Sequence, residues 1–219
     1  MGIRKSRKRL KKEIADAIRI LRRCCSEEKE STVLRDNIHL FEKAYSALAN
    51  GLLESRAVYD SDDGDLPRTY VYAKEFCRWN GNVINKDNIF HAMSRFSDKT
   101  EMKSSEIFFF PDVFKAALLV AASNTSHGKD GPEKTRALLT EISSLRYLSF
   151  ESFDGLYEKL SRTEKILRRD PYYIQMDDES KNLYRHRVSV IAAANGVTEA
   201  DIAEKITEKA AGCSAGKKS

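Results

Sequence analysis

Apolar residues recur every three or four positions along almost the whole chain, and this spacing is the strongest constraint on its fold. Near the N-terminus, apolar residues follow one another at intervals of four, three and four positions, as Leu10, Ile14, Ala17 and Leu21. Only four prolines and ten glycines occur in 219 residues, too few for the turns of a many-stranded sheet. The sequence therefore predicts an all-α fold, an orthogonal array of eight or nine helices with no sheet.

Capping residues and helix breakers predict the helix boundaries in the N-terminal half. Asp36 is a predicted N-cap for the second helix. Pro67 is expected at the start of the next helix and Asp87 at the start of a short one. Residues 105–122 should form the most hydrophobic and most buried helix, which Pro111 either kinks or divides.

Proline also limits the helices of the C-terminal half. Pro132 is expected to begin one helix, and residues 153–167 should form the next. That helix must end before Asp170 and Pro171, because a residue that precedes proline disfavours helical geometry.

The last two helices have both start and stop signals. Asp177 is the expected N-cap of a helix that runs through Ala194, with Gly196 as the residue that follows its C-cap. The pair Thr198 and Asp201 resembles a capping box for the final helix. The apolar residues of the first of these helices are Leu183, Val190 and Ile191.

A link rich in Gly, Asn and Ser follows residue 123 and suggests how the chain divides. Residues 1–30 are predicted to form a basic amphipathic N-terminal helix. Residues 31–123 and 131–212 are expected to form two helical subdomains. Residues 213–219 should be a flexible tail, and the chain is interpreted as truncated there.

Positive charge is concentrated at the N-terminus. Seven of the first twelve residues are basic, namely Arg4, Lys5, Arg7, Lys8, Arg9, Lys11 and Lys12. The net charge is +5, so removal of these seven leaves −2 on the rest of the chain. Such an arm is typical of contact with nucleic acid or an anionic membrane surface, and a solvated terminus is the equally simple alternative.

No pattern in the chain predicts a catalytic residue, a metal ligand or a cofactor. Residues 60–65 contain an Asp-x-Asp, but glycine is fifth in this segment where a calcium loop needs it sixth, so a solvated loop is expected. The tail from residue 212 has three residues between its glycines where a phosphate loop needs four. The four histidines have no zinc spacing, and the four cysteines, without a CxxC pair, fit a reducing cytoplasm.

The most informative segment is residues 164–188, EKILRRDPYYIQMDDESKNLYRHRV. An Asp-Pro break, two tyrosines, a Met-Asp pair and a Tyr-Arg pair predict a tight corner between helices. One interpretation is that Tyr172, Tyr173 and Met176 wedge two helices apart.

This segment resembles the signature of cyclic β-1,2-glucan synthases, which are very large bacterial membrane enzymes that build glucans from UDP-glucose. Residues 36–42, 68–75, 85–96 and 105–118 are similar to other parts of the same N-terminal region, in the same order. The positions that match are Arg68, Tyr70, Glu75, Glu106, Pro111, Asp170, Pro171, Met176, Asp177, Tyr184 and Arg185. The resemblance implies structural or docking roles for them and catalytic roles for none.

The resemblance also has departures. Only four residues separate Pro171 from Met176, two fewer than in the familiar form of the corner, and Phe108 and Phe110 replace Trp and Leu. The glycosyltransferase motifs and membrane helices of the family do not occur in these 219 residues. The resemblance therefore implies a non-catalytic N-terminal scaffold, a fragment that works with the rest of its enzyme in the cytoplasm at the inner membrane face. The rival is a stand-alone helical module whose basic arm binds nucleic acid or an anionic membrane.

Overall fold

The computed structural model describes residues 2–26, 32–55, 66–153 and 155–215, and the side chains of all of these except residues 2–4, 156 and 213–215. In these ranges it contains twelve α-helices, eight of them seven residues or longer, and no strand. The all-α prediction is confirmed. The helices are α1 (Gly2–Ser26), α2 (Thr32–Asn50), α3 (Arg68–Trp79), α4 (Lys86–Lys99), α5 (Ser104–Phe108), α6 (Phe110–Ser126), α7 (Pro132–Phe150), α8 (Gly155–Leu160), α9 (Arg162–Leu167), α10 (Pro171–Gln175), α11 (Asp178–Asn195) and α12 (Glu199–Ala215).

The first two proline-related boundaries agree with the sequence, but the start of α2 does not. Pro67 directly precedes α3, and Pro111 lies in the first turn of α6, where its missing N–H leaves no helical hydrogen bond unmade. The helix α2 begins at Thr32 rather than after Asp36. Leu34 explains the difference, because this fully buried residue extends the apolar stripe one turn upstream.

The predicted helix over residues 153–167 is two helices. Ser161 has an extended backbone, with ψ 119°, and separates α8 from α9. Its Oγ accepts a hydrogen bond from Glu164 N at 3.0 Å and so caps α9. A serine followed by a glutamate three positions later is a helix-start signal, which the apolar periodicity concealed.

The caps of the last two long helices are confirmed. Asp177 Oδ1 accepts from Ser180 N at 2.7 Å, and Gly196 ends α11 in the left-handed region with φ 65°. Thr198 and Asp201 exchange two hydrogen bonds of 3.1 Å, as a capping box does.

The inward face of α11 differs from the apolar set named from the sequence. Leu183, Val190 and Ile191 are 55%, 52% and 43% exposed, whereas Val188 and Ala192 are buried. Val188 and Ala192 lie one turn apart and pack with Ile202 of α12. The smaller residues therefore make the contact, and the larger apolar ones face solvent.

Contacts divide the chain into two compact units that do not coincide with the predicted subdomains. Unit 1 consists of Met1–Phe96 and Phe109–Phe153, and unit 2 of Ser97–Phe108 and Asp154–Ser219. The link after residue 123 does not separate them, because α7 packs against α6 inside unit 1. Nor is α1 separate, since it packs against α2 and α6.

The core of unit 1 is built around α6, as its hydrophobicity predicted. Phe110, Phe114 and Leu118 are fully buried, and Phe114 meets Phe76 of α3 edge to face at 5.8 Å between ring centres. Each such side chain contributes about 1.5–3 kcal/mol of transfer free energy. No helix among the described residues is both long and apolar enough to cross a membrane.

Candidate functional site

The corner predicted from the sequence lies in unit 2, where α9, α10 and α11 meet. Asp170 Oδ1 accepts from Tyr172 N at 2.9 Å and caps α10, and Pro171 is the first residue of that helix. Met176 follows α10 with an extended backbone, and Asp177 caps α11. Two consecutive caps therefore fix the change of direction.

A buried carboxylate, Glu164, is at the centre of this corner. The residue has no solvent exposure. Its Oε2 accepts from Tyr173 Oη at 2.7 Å and from Arg185 Nε at 2.9 Å. Its Oε1 accepts from Arg168 Nε at 3.0 Å and lies 2.8 Å from Arg185 Nη2. One side chain of α9 thus joins its own helix to α10 and α11.

The protonation preferences at the corner follow from these contacts. Burial would raise the pKa of Glu164, but hydrogen bonds from Arg185, Tyr173 and Arg168 outweigh it and lower the pKa. Burial and the Glu164 carboxylate raise the pKa of Tyr173, so its hydroxyl remains a donor. At neutral pH the site is an ion pair with a tyrosine hydrogen bond.

An apolar cluster supports the polar centre. Tyr173 is buried with Ile166 and Leu167 of α9 and with two alanines of α12. Met176 and Tyr184 both pack against this cluster. The rings of Tyr173 and Tyr184 meet at 5.6 Å with an interplanar angle of 61°, a favourable edge-to-face geometry.

Unit 2 also contains a second polar cluster, which holds α5. Ser104 Oγ bonds to Glu199 Oε2 of α12, and Ser104 N donates to the same oxygen at 3.2 Å. The Tyr157 hydroxyl of α8 lies 2.7 Å from Ser104 Oγ. Arg185 stacks on the Tyr157 ring at 4.7 Å, which links this cluster to the corner.

The remaining family-motif residues are distributed over both units. Glu106 is buried in unit 2, where its Oε2 accepts from Lys103 N at 2.9 Å and caps α5. In unit 1, Arg68 lies 5.7 Å from the Phe96 ring centre, while Glu75 is exposed. Pro111 is buried at the start of α6. Tyr70 is fully buried, and this burial raises the pKa of its hydroxyl group; the nearby charge of Glu13 raises it further.

Unit 1 has its own buried carboxyl group, Glu141 of α7. Its Oε1 accepts from Asn82 Nδ2 and Thr125 Oγ1, both at 2.8 Å, while Oε2 has no hydrogen-bond partner among the described residues. Burial raises the pKa of Glu141 to about 7, although these two hydrogen bonds oppose the change. Ser144 Oγ holds the same turn by donating to Asn82 O at 2.7 Å and accepting from Ile84 N at 2.9 Å.

The basic arm is part of unit 1 rather than a free extension. Arg7 Nε donates to Leu53 O at 2.8 Å, and its Nη2 lies 2.5 Å from Glu54. Lys11 Nζ binds the other oxygen of Glu54 at 2.5 Å, and this contact lowers the pKa of the carboxyl. Arg7 and Lys11 of the basic arm therefore bind within the unit. The side chain of Arg4 lies outside the described set.

Among the described residues, no three His, Cys, Asp or Glu side chains lie together so that they could hold a metal ion. The acidic segment 60–65 and the last four residues of the tail lie outside the described ranges. The adjacent Cys24 and Cys25 are respectively buried and half-buried in α1.

Sequence reasoning missed two of the side chains that organise the corner, Glu164 and Arg168. The spacing of Glu164 and Arg168 did signal an ion pair on one helix face. It did not signal that Arg185, 21 positions later, would join them. No local sequence pattern identifies a glutamate as buried when its ion-pair partner belongs to a helix that lies far away in the sequence.

Comparison with protein-family models, curated proteins and solved structures found no match. The likeness to glucan synthases consequently rests on the residues of the chain itself. The geometry of the corner holds three helices around one buried carboxylate, that of Glu164.

Proposed function

We propose that this chain is a non-catalytic helical scaffold of a cyclic β-1,2-glucan synthase-like glucosyltransferase. The parent enzyme would transfer glucose from UDP-glucose to a growing β-glucan, and its remaining domains would be the partner of this chain. The observation that supports the proposal is the corner, where the segment with the strongest resemblance folds as one network around Glu164.

The charges at the corner favour positioning over substrate binding. Arg185 pairs with Glu164, and Arg168 also contacts Glu158 Oε1 at 2.7 Å. The two guanidinium groups are thus matched by two carboxylates. A nucleotide-sugar diphosphate needs cationic groups that are available to its phosphates. These arginines are engaged with acids of their own unit.

The network leads us to expect that substitutions within this segment are poorly tolerated. Removal of one member of a buried ion pair leaves the other charged and desolvated, which costs about 3–5 kcal/mol. A signature of Asp, Pro, Tyr and Arg is therefore expected where a joint must keep its geometry. Such a joint suits a scaffold that holds other domains in place on the cytoplasmic side of a membrane.

The rival function, a stand-alone module that binds nucleic acid through its arm, has less support. Arg7 and Lys11 bind Glu54 and Leu53 of their own unit. The rest of the chain has a net charge of −2, whereas nucleic-acid binders spread basic residues over a folded face.

The proposal can be tested by replacing Glu164 with Gln in the chromosomal gene, with Glu208→Gln as the control. Glu208 is an exposed residue of α12 and carries the same charge. Cellular β-1,2-glucan and the amount of the polypeptide should both fall with Glu164→Gln and remain unchanged with the control. A fall in polypeptide with unaltered glucan would separate the chain from glucan synthesis.

The purified chain provides the second test. It should not consume UDP-glucose. Turnover that a single substitution within these 219 residues abolishes would refute a purely structural role.

A further inference from the structure

The outward face of α1 is a line of positive charge on a folded helix. The exposed basic residues of this helix are Lys5, Lys8, Arg9, Lys12, Arg19, Arg22 and Arg23. The opposite face, with Leu10, Ile14 and Leu21, is fully buried in unit 1. The helix therefore cannot rotate about its axis to bury its charges, and its basic side faces outward from unit 1.

Five of these residues form a narrow strip. At about 100° per residue, Lys5, Lys8, Lys12, Arg19 and Arg23 fall within about 60° of one another around the helix axis. At about 1.5 Å per residue the strip is about 27 Å long. The only acid on it is Asp16, which pairs with Arg19 at 2.6 Å. Lys8 and Lys12 lie about one turn apart in the N-terminal half of the strip, and both are exposed.

We propose that this strip docks unit 1 on the anionic surface of a phospholipid bilayer, with α1 parallel to the membrane plane. A straight row of charges can reach many headgroups of a flat surface at once. Each Lys or Arg close to such a surface contributes about 1 kcal/mol. Because the apolar face of α1 is used in the core, binding is electrostatic and does not insert the helix.

The composition of α1 favours lipid over nucleic acid. The helix contains no aromatic residue and no Asn or Gln, so it has no ring to stack on bases and no amide to read their edges. Three of the five cations in the strip are lysines, which bind phosphate as point charges. Arg22 and Arg23 contact Glu42 and His127 within unit 1.

The test is sedimentation of the full chain with vesicles of phosphatidylcholine that contain no or about 30% phosphatidylglycerol. Binding should require the anionic lipid and should be lost as salt rises from about 0.05 to about 0.5 M. The variant Lys8→Gln/Lys12→Gln should bind about 25-fold more weakly, at about fivefold for each charge. Truncation of the arm is a poor substitute, because it would remove the buried Leu10.

The matched control is Lys165→Gln/Lys209→Gln, which removes the same charge from exposed positions of unit 2. It should bind like the parent, and circular dichroism should show both variants folded. Equal weakening by the two variants would mean that net charge, not the strip, drives binding. Tighter binding to duplex or single-stranded DNA at equal phosphate concentration would overturn the lipid assignment.

Discussion

We expect the ion pairs of Glu164 at the corner to make a measurable contribution to the stability of unit 2. Replacing Glu164 by Gln keeps the size of the side chain but removes the charge that faces Arg185, Arg168 and Tyr173. Arg185 is only 16% exposed, so its charge would then lie largely out of water without its counter-ion. Breaking a buried pair in this way costs about 3–5 kcal/mol. Because Arg185 keeps some exposure to solvent, we expect the free energy of unfolding to fall by about 3 kcal/mol.

A second substitution separates the pair from simple loss of packing. Arg185→Met should also destabilise unit 2, because it leaves Glu164 buried with fewer donors. In the double variant neither charge remains, so the loss should be smaller than the sum of the single losses by about 2 kcal/mol. The low pKa of Glu164 means that its contribution is complete above the ordinary carboxyl range and is lost as pH falls through the folded-state value.

Hydrogen exchange followed by mass spectrometry is the suitable assay, because it reports the two units through separate peptides. A loss of about 3 kcal/mol corresponds to about 100-fold faster exchange in the most protected amides of unit 2. Peptides from α6 and α7 should be unchanged and serve as the internal control. Additive effects of the two substitutions would refute the coupling, and unchanged exchange would refute a structural role for Glu164.

Substitutions at Glu141, Asp177 and Tyr184 have defined outcomes. Because the folded-state pKa of Glu141 is raised to about 7, unit 1 should lose stability as pH rises from about 5 to about 7. In urea unfolding, Glu141→Gln should abolish this dependence on pH and add about 3 kcal/mol to the free energy of unfolding at pH 8. A dependence on pH that persists in the variant would contradict the assignment to Glu141. Asp177→Ala should cost about 1 kcal/mol through the lost cap of α11, seen as faster exchange at Ser180, whereas the exposed neighbour Asp178→Ala should cost less. Tyr184→Ala should lower the free energy of unfolding by about 2–3 kcal/mol, because the ring is partly buried against Tyr173. Tyr184→Phe keeps that ring contact and should melt like the parent. Equal melting temperatures of the parent and both variants would mean that the ring is not structural.

Local signals predicted the features that depend on a few neighbouring residues. Asp177, Gly196 and the Thr198–Asp201 pair act within one helix turn, and each lies where the sequence placed it. Pro111 likewise begins a helix because its own backbone lacks a donor.

Features that depend on distant contacts were not predictable in this way. The link before Pro132 is a composition signal, but whether α7 joins the preceding or the following helices depends on which apolar surfaces fit together. The periodicity of α11 allowed two faces, and the fit of Val188 and Ala192 against α12 selected the less hydrophobic one. Glu164 obtained its role from Arg185, which no spacing rule connects to it.

The scaffold proposal is tested most directly by isolating the native polypeptide that contains this chain. An antibody against the exposed end of α11 and the start of α12 can be used to immunoprecipitate it from detergent-solubilised membranes. The precipitate should incorporate glucose from radiolabelled UDP-glucose into β-1,2-glucan, while the purified chain alone should not. A precipitate that contains the polypeptide in full amount but forms no glucan would contradict the proposal.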